Sequence, residues 1–196
     1  MRGQPPLKHK LSQQKALLLS RRRFLIGLAG GSVAALFGMP GQARAELTTE
    51  QRWEIIDAVQ QQLFPTEEKS PGAKEINALK YLKFVVTDTK VDQQERVFIL
   101  QGAEWLEDLS QQNTNKSFLA LDQTAKHKLI KQIAASQAGE NWLSTLVLYL
   151  MEALLTAPAY GGNPNGIGWK WLGHTPGFPL PDQSNIYPAL MVKHEL

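Results

Sequence analysis

Cysteine is absent from the 196 residues. That excludes a disulfide framework, a thiolate zinc site, a cysteine-ligated iron–sulfur cluster, a C-x-x-C-H haem attachment and a lipidated cysteine. Acidic residues are absent from positions 1–45, which carry eight Lys and Arg. The remainder holds 13 basic and 18 acidic residues, a net charge of −5. The overall +3 and the pI near 9.1 therefore belong to the N-terminal segment, not to the folded part. A nucleic-acid partner loses its support, because that contact needs Lys and Arg held in the folded domain. No apolar run reaches the roughly 20 residues of a membrane-spanning helix. No G-x-G-x-x-G follows a strand-like run, so there is no dinucleotide fingerprint. Asp and Glu do not gather with histidine at metal-ligand spacing, and no nucleophile–base pair stands out. With 43% apolar and 20% charged residues, the chain fits one folded domain of ordinary size.

The basic segment reads as an export signal. Positive charge ends at Ser20-Arg21-Arg22-Arg23-Phe24-Leu25, and a 16-residue, mostly apolar, glycine-rich stretch runs from Phe24 to Met39. Pro40-Gly41 and the A-x-A pattern Ala43-Arg44-Ala45 follow, as at a cleavage site. The order Ser20, Arg21, Arg22, Phe24, Leu25 resembles the bacterial twin-arginine signal. An ordinary secretory signal and an uncleaved anchor are the alternatives. A twin-arginine route carries proteins folded before export, either because a cofactor must be inserted first or because a folded companion travels along.

Residues 46 to about 156 show helical periodicity with few breakers, which predicts an all-α bundle of about five helices. Thr48 followed by Gln51 forms a capping box, and Ile56, Val59 and Leu63 share a face until Phe64-Pro65 stops the run. Ser70-Pro71 is expected to open a second helix, with Ile76, Leu79, Leu82 and Val86 inward. A third is expected from about Asp92 to Leu109, with Phe98, Trp105 and Leu109 in one stripe, and Glu107-Asp108 as a solvated pair near its end. Asp122 is a good N-cap for a fourth, with Ala125, Leu129 and Ile133 inward. Gly139 is expected to separate it from a fifth, from about Glu140 to Leu155. That last helix has an unbroken apolar run, Leu146 to Met151, of the kind found at the centre of a bundle or under a partner. Lys83 to Thr87 is the only strand-like stretch.

From about 157 the composition changes. Pro158 to Leu196 contains six prolines and six glycines, which disfavours regular helix. Yet Tyr160, Trp169, Trp171, Phe178 and Tyr187 are too many large aromatics for a disordered linker. This irregular tail is expected to order against its own helices or against another subunit. Its glycine-rich loop lacks the strand-to-helix setting and the lysine of a phosphate-binding loop. His127 lies among lysines, His174 stands alone beside the aromatics, and neither has a metal-site companion.

The segment Pro158-Ala159-Tyr160-Gly161-Gly162-Asn163, continuing to Gly168-Trp169-Lys170 and Gly173, resembles the hallmark of the gluconate 2-dehydrogenase subunit 3 family. The N-terminal signal and the helical body agree with that resemblance. It implies a non-catalytic small subunit of a membrane-associated periplasmic dehydrogenase. The implied partner is a large subunit carrying FAD, often with a cytochrome c subunit, and the small subunit assists its maturation and its passage through the twin-arginine translocase. On this reading the chain holds no cofactor, metal or catalytic residue of its own. Tyr160, Gly161, Gly162, Asn163, Trp169, Trp171 and Phe178 are the candidate partner interface. The competing reading is a stand-alone exported carbohydrate-binding or enzymatic protein that uses the aromatic tail.

Overall fold

A computed structural model describes residues 46–88 and 92–187. The export-signal residues Ser20, Arg21, Arg22, Phe24, Leu25, Ala43 and Ala45 lie outside them. Among the described residues there are six α-helices: α1 Thr49–Leu63, α2 Ala78–Thr87, α3 Gln93–Thr114, α4 Gln123–Ala134, α5 Gln137–Leu155 and the short α6 Ile167–Leu172. Among the described residues there is no strand, and the fold is all-α.

Helix starts follow the capping chemistry of the sequence. The Thr48 hydroxyl accepts from the Gln51 amide and the Gln51 side chain accepts from the Thr48 amide, a closed capping box. Asp92 and Asp122 each accept an amide in the first turn of α3 and α4. Ser136 does the same for α5, accepting from Gly139 at 3.1 Å. Helix α5 therefore begins at Gln137, and Gly139 lies inside it rather than before it. A Cβ on Gly139 would sit 2.0 Å from the Ile133 carbonyl oxygen, so its bare backbone is what allows α4 and α5 to meet so tightly.

Three other expectations are corrected. Ser70-Pro71 does not open a helix. Ser70 pairs with Glu67 in an isolated bridge, and the Ala73 amide donates to the Phe64 carbonyl at 2.7 Å. Residues 71–77 thus fold back on the end of α1, and α2 waits until Ala78, after Asn77 in the left-handed region at φ 56°. The strand-like Lys83 to Thr87 is the second half of α2, where Leu82 and Val86 fill the core at helical spacing. Helix α3 continues past Leu109 to Thr114, because the polar residues beyond are held by Ser110, whose buried hydroxyl donates to the Lys116 carbonyl, and end only at left-handed Asn115.

Glu107 is buried in mid-helix rather than solvated at a helix end. Its carboxylate accepts from the Phe118 amide at 2.8 Å, the Ser117 hydroxyl at 3.1 Å and the Gln111 side chain at 2.9 Å. It anchors the 3-10 turn Phe118–Ala120, which places Phe118 fully inside the core.

Helix α5 touches each of the other five helices. Trp142 near its start donates to Ile99 of α3, and Tyr149 two turns later reaches Glu95, so the two helices run antiparallel. One core cluster surrounds Trp105 and Trp142, and a second gathers Ala73, Ile76 and Ala78 onto Leu150, Ala153 and Leu154 of α5.

The α3–α5 contact depends on a missing side chain. A Cβ on Gly102 would lie 2.2 Å from the Trp142 indole, which is fully buried. Alanine would gain about 1 kcal/mol of helix propensity over glycine. Overpacking against an immobile ring costs about 1–3 kcal/mol, with the indole–Ile99 hydrogen bond also at risk. We predict that Gly102→Ala lowers unfolding free energy by about 2 kcal/mol, read as a lower urea midpoint. An unchanged or raised midpoint would show that the indole is free to move.

Candidate functional site

The glycine-rich loop is built on the C-terminus of α5. The last carbonyls of a helix lack partners inside it and need donors, which the loop supplies here. Trp169 Nε1 donates to the Leu155 carbonyl at 2.8 Å, and Asn163 Nδ2 donates to the Thr156 carbonyl at 2.9 Å. Asn163 is fully buried in the left-handed region, φ 47° and ψ 51°. Its amide donates to the Ile76 carbonyl at 3.0 Å and its Oδ1 accepts from the Gly168 amide at 2.7 Å. One residue, through its side chain and its backbone amide, thereby joins the end of α5, the start of α6 and the turn before α2.

The glycines let this happen at backbone distance. A Cβ on Gly162 would meet the Ala153 carbonyl oxygen at 2.7 Å, and one on Gly168 would meet the Leu154 carbonyl oxygen at 2.2 Å. Both glycines therefore lie directly on α5. Two 3-10 turns, Pro158–Tyr160 and Pro164–Gly166, each start on a proline. The tail is more regular than its composition implies. The proline-free run from Ile167 to Leu172 forms α6, with left-handed Gly166 before it and Gly173 after it.

The candidate interface residues divide by this geometry. Gly162, Asn163 and Trp169 are buried in the chain's own fold. Tyr160 and Gly161 are half-buried, Tyr160 edge-on to Phe84 at 6.0 Å. Trp171 is 42% exposed and packs edge-on to Phe64 at 6.1 Å, and Phe178 is 81% exposed. His174 is exposed and stacks edgewise on Trp169 at 6.2 Å.

The loop's chemistry is committed inward. The amides of Gly161, Asn163, Gly166 and Gly168 all donate to this chain's own oxygens. Among the described residues no group of three or more His, Asp or Glu is placed to hold a metal ion. A polar cluster lies between α2, α3 and α5. There Tyr81 donates to Glu152 at 3.1 Å and Tyr149 donates to Glu95 at 2.9 Å. Burial, reinforced by those carboxylates, pushes both phenols well above their ordinary range, so both stay protonated donors at neutral pH. Sequence reasoning missed Gly168 and Glu107 as structural determinants. For Gly168 the signal was in plain view, in a G-x-G run, but its meaning depends on which backbone lies opposite.

Two measurements test the capping role. Trp169→Ala removes a buried indole and its bond to Leu155, and we predict a loss of about 3 kcal/mol in urea unfolding. Trp171→Ala loses one edge contact and about 1 kcal/mol; equal losses at the two positions would contradict this geometry. Separately, Asn163→Ala and Asn163→Gly both remove the side-chain bonds, but only alanine must also enter the left-handed region. The alanine variant is expected to be the less stable by about 1 kcal/mol, and equal midpoints for the pair would overturn the backbone argument.

The model of one protein family, described as gluconate 2-dehydrogenase subunit 3, matches residues 50–177. No curated protein and no solved structure matches the chain. The family match runs from the first turn of α1 through the whole glycine-rich loop. It covers well over half of the sequence. The chain belongs to the gluconate 2-dehydrogenase subunit 3 family.

Proposed function

We propose that this chain is a non-catalytic accessory subunit of a periplasmic, flavin-dependent sugar or alcohol dehydrogenase. In this reading it assists maturation of the large catalytic subunit and carries it through the twin-arginine translocase. The observation that carries the reading is the family match over residues 50–177. The geometry of the glycine-rich loop is in keeping with it. The segment that marks the family is used to close the end of α5 and offers its hydrogen-bonding groups to no reactant. FAD belongs to the large subunit, and a cytochrome c subunit is a further partner of the assembly. In this reading association with the membrane comes through that assembly; among the described residues no helix is long and apolar enough to cross a bilayer. The exposed aromatics Trp171 and Phe178 are available to the large subunit, while Trp169 serves the fold. A sugar-stacking role would fall to the same exposed rings, and a carbohydrate-binding protein has no other feature in its favour here.

The test is co-expression of the full chain with the flavoprotein subunit. Wild-type protein is expected to deliver a flavin-containing complex to the periplasm. Arg21→Lys with Arg22→Lys keeps the charge but removes the planar guanidinium groups. We predict that this double variant retains both subunits in the cytoplasm, seen by fractionation and flavin absorbance. Flavoprotein that reaches the periplasm undiminished with the double variant, or with no small subunit at all, would sink the proposal.

A further inference from the structure

Among the described residues, four of the nine exposed large apolar side chains lie on α5: Val147, Leu148, Met151 and Leu155, each 38–56% exposed. At 100° per residue, their spacing of one, three and four confines them to an arc of about 100°. They form one stripe along the outer face of the helix that organises the core. On α6, which meets α5 where Gly168 sits on the Leu154 backbone, Leu172 is also 49% exposed. Helix α5 contains no Lys or Arg, and residues 141–151 contain no charge of either sign.

These properties narrow what covers the stripe. An anionic lipid surface is attracted by Lys and Arg flanking an apolar face, and the charges of α5 are Glu140 and Glu152. The α5 stripe offers on the order of 350 Å² of apolar area, in the range of patches that serve as binding sites. A self-contained protein contact takes about 800 Å² per partner. Two copies meeting through this stripe alone would fall well short of that. A larger partner that also spans α6 and the exposed tail rings would reach it, with the stripe as its dry, uncharged centre.

We propose that Val147, Leu148, Met151 and Leu155, together with Leu172, form the seat of the dehydrogenase's large catalytic subunit, which presents a matching uncharged apolar surface. The proposal rests on the accessory-subunit reading above and locates its contact on α5 rather than on the glycine-rich loop. The test uses full-length chain co-expressed with the flavoprotein subunit and purified through a tag on the small subunit. Leu148→Glu with Met151→Glu is expected to cut co-purified flavin at least about tenfold. Circular dichroism and the urea midpoint of the small subunit are expected to stay at wild-type values, because both side chains are exposed. Lys128→Glu with Lys131→Glu on α4 is expected to leave the yield unchanged. Should the glutamate pair unfold, Leu148→Gln with Met151→Gln removes the apolar contact without charge and carries the same expectation. A folded stripe variant that brings down normal flavin overturns this face and leaves the subunit reading intact. A wild-type chain that brings down no flavoprotein removes both. Two other results also overturn the assignment. One is a wild-type homodimer that the stripe variants dissociate in sedimentation. The other is stripe-dependent binding to phosphatidylethanolamine–phosphatidylglycerol vesicles.

Discussion

A helix that runs through the middle of a domain has nowhere to hide its last carbonyls. In most helices water satisfies them, but α5 ends against Ile76 and the turn before α2, where leaving them unpaired would cost about 1–3 kcal/mol each. The loop from Gly161 to Trp169 answers that requirement. Asn163 and Trp169 supply the donors, and Gly162 and Gly168 bring their backbones against α5 without the Cβ that would hold them off. The residues that mark the family are therefore those that finish the bundle. Because the loop also binds the Ile76 carbonyl, its loss would loosen the second core cluster as well as the helix end.

The same economy of contact recurs elsewhere in the bundle. Gly102 admits the Trp142 ring, and Gly139 admits the end of α4. Glu107 turns a chain reversal into a buried, hydrogen-bonded corner. Each of these links pins α3, α4 or α5 at a single point by backbone proximity or by a fully used polar group. Such points tolerate little change in volume, whereas the outer face of α5 is constrained by none of them. Its apolar character has no explanation inside the domain, and this is what gives it meaning for an assembly.

On the accessory-subunit proposal, this division of labour has a physical logic. Glu107, Ser110 and Asn163 use their buried polar groups within the chain, so on that proposal the domain can be folded before its partner arrives. The surface left over is apolar and uncharged along α5, which suits a permanent contact more than a transient one. A chain folded in this way can wait for a large subunit and bind it without refolding. A twin-arginine route, which transports folded proteins, requires the same order of events.

Much of this was legible in the sequence. The all-α class, the capping box at Thr48, the N-cap at Asp122 and the inward residues Ile56, Val59, Leu129 and Ile133 all follow from local chemistry and a 3.6-residue period, which are properties of neighbouring residues. The family too could be read from the loop, because its glycines, Asn163 and Trp169 stand in a short continuous segment. What the sequence could not decide was where side chains separated by tens of residues would meet. Ser70-Pro71 looked like a helix start until the Phe64 carbonyl claimed the Ala73 amide, and Glu107 looked solvated until the Phe118 turn closed over it. Whether Trp169 or Trp171 faces outward was equally undetermined, since both belong to one aromatic run. Tertiary structure settled that by placing the Leu155 carbonyl within reach of one indole only, because a helix-end acceptor with no partner in its own helix draws in whichever donor the chain can bring to it.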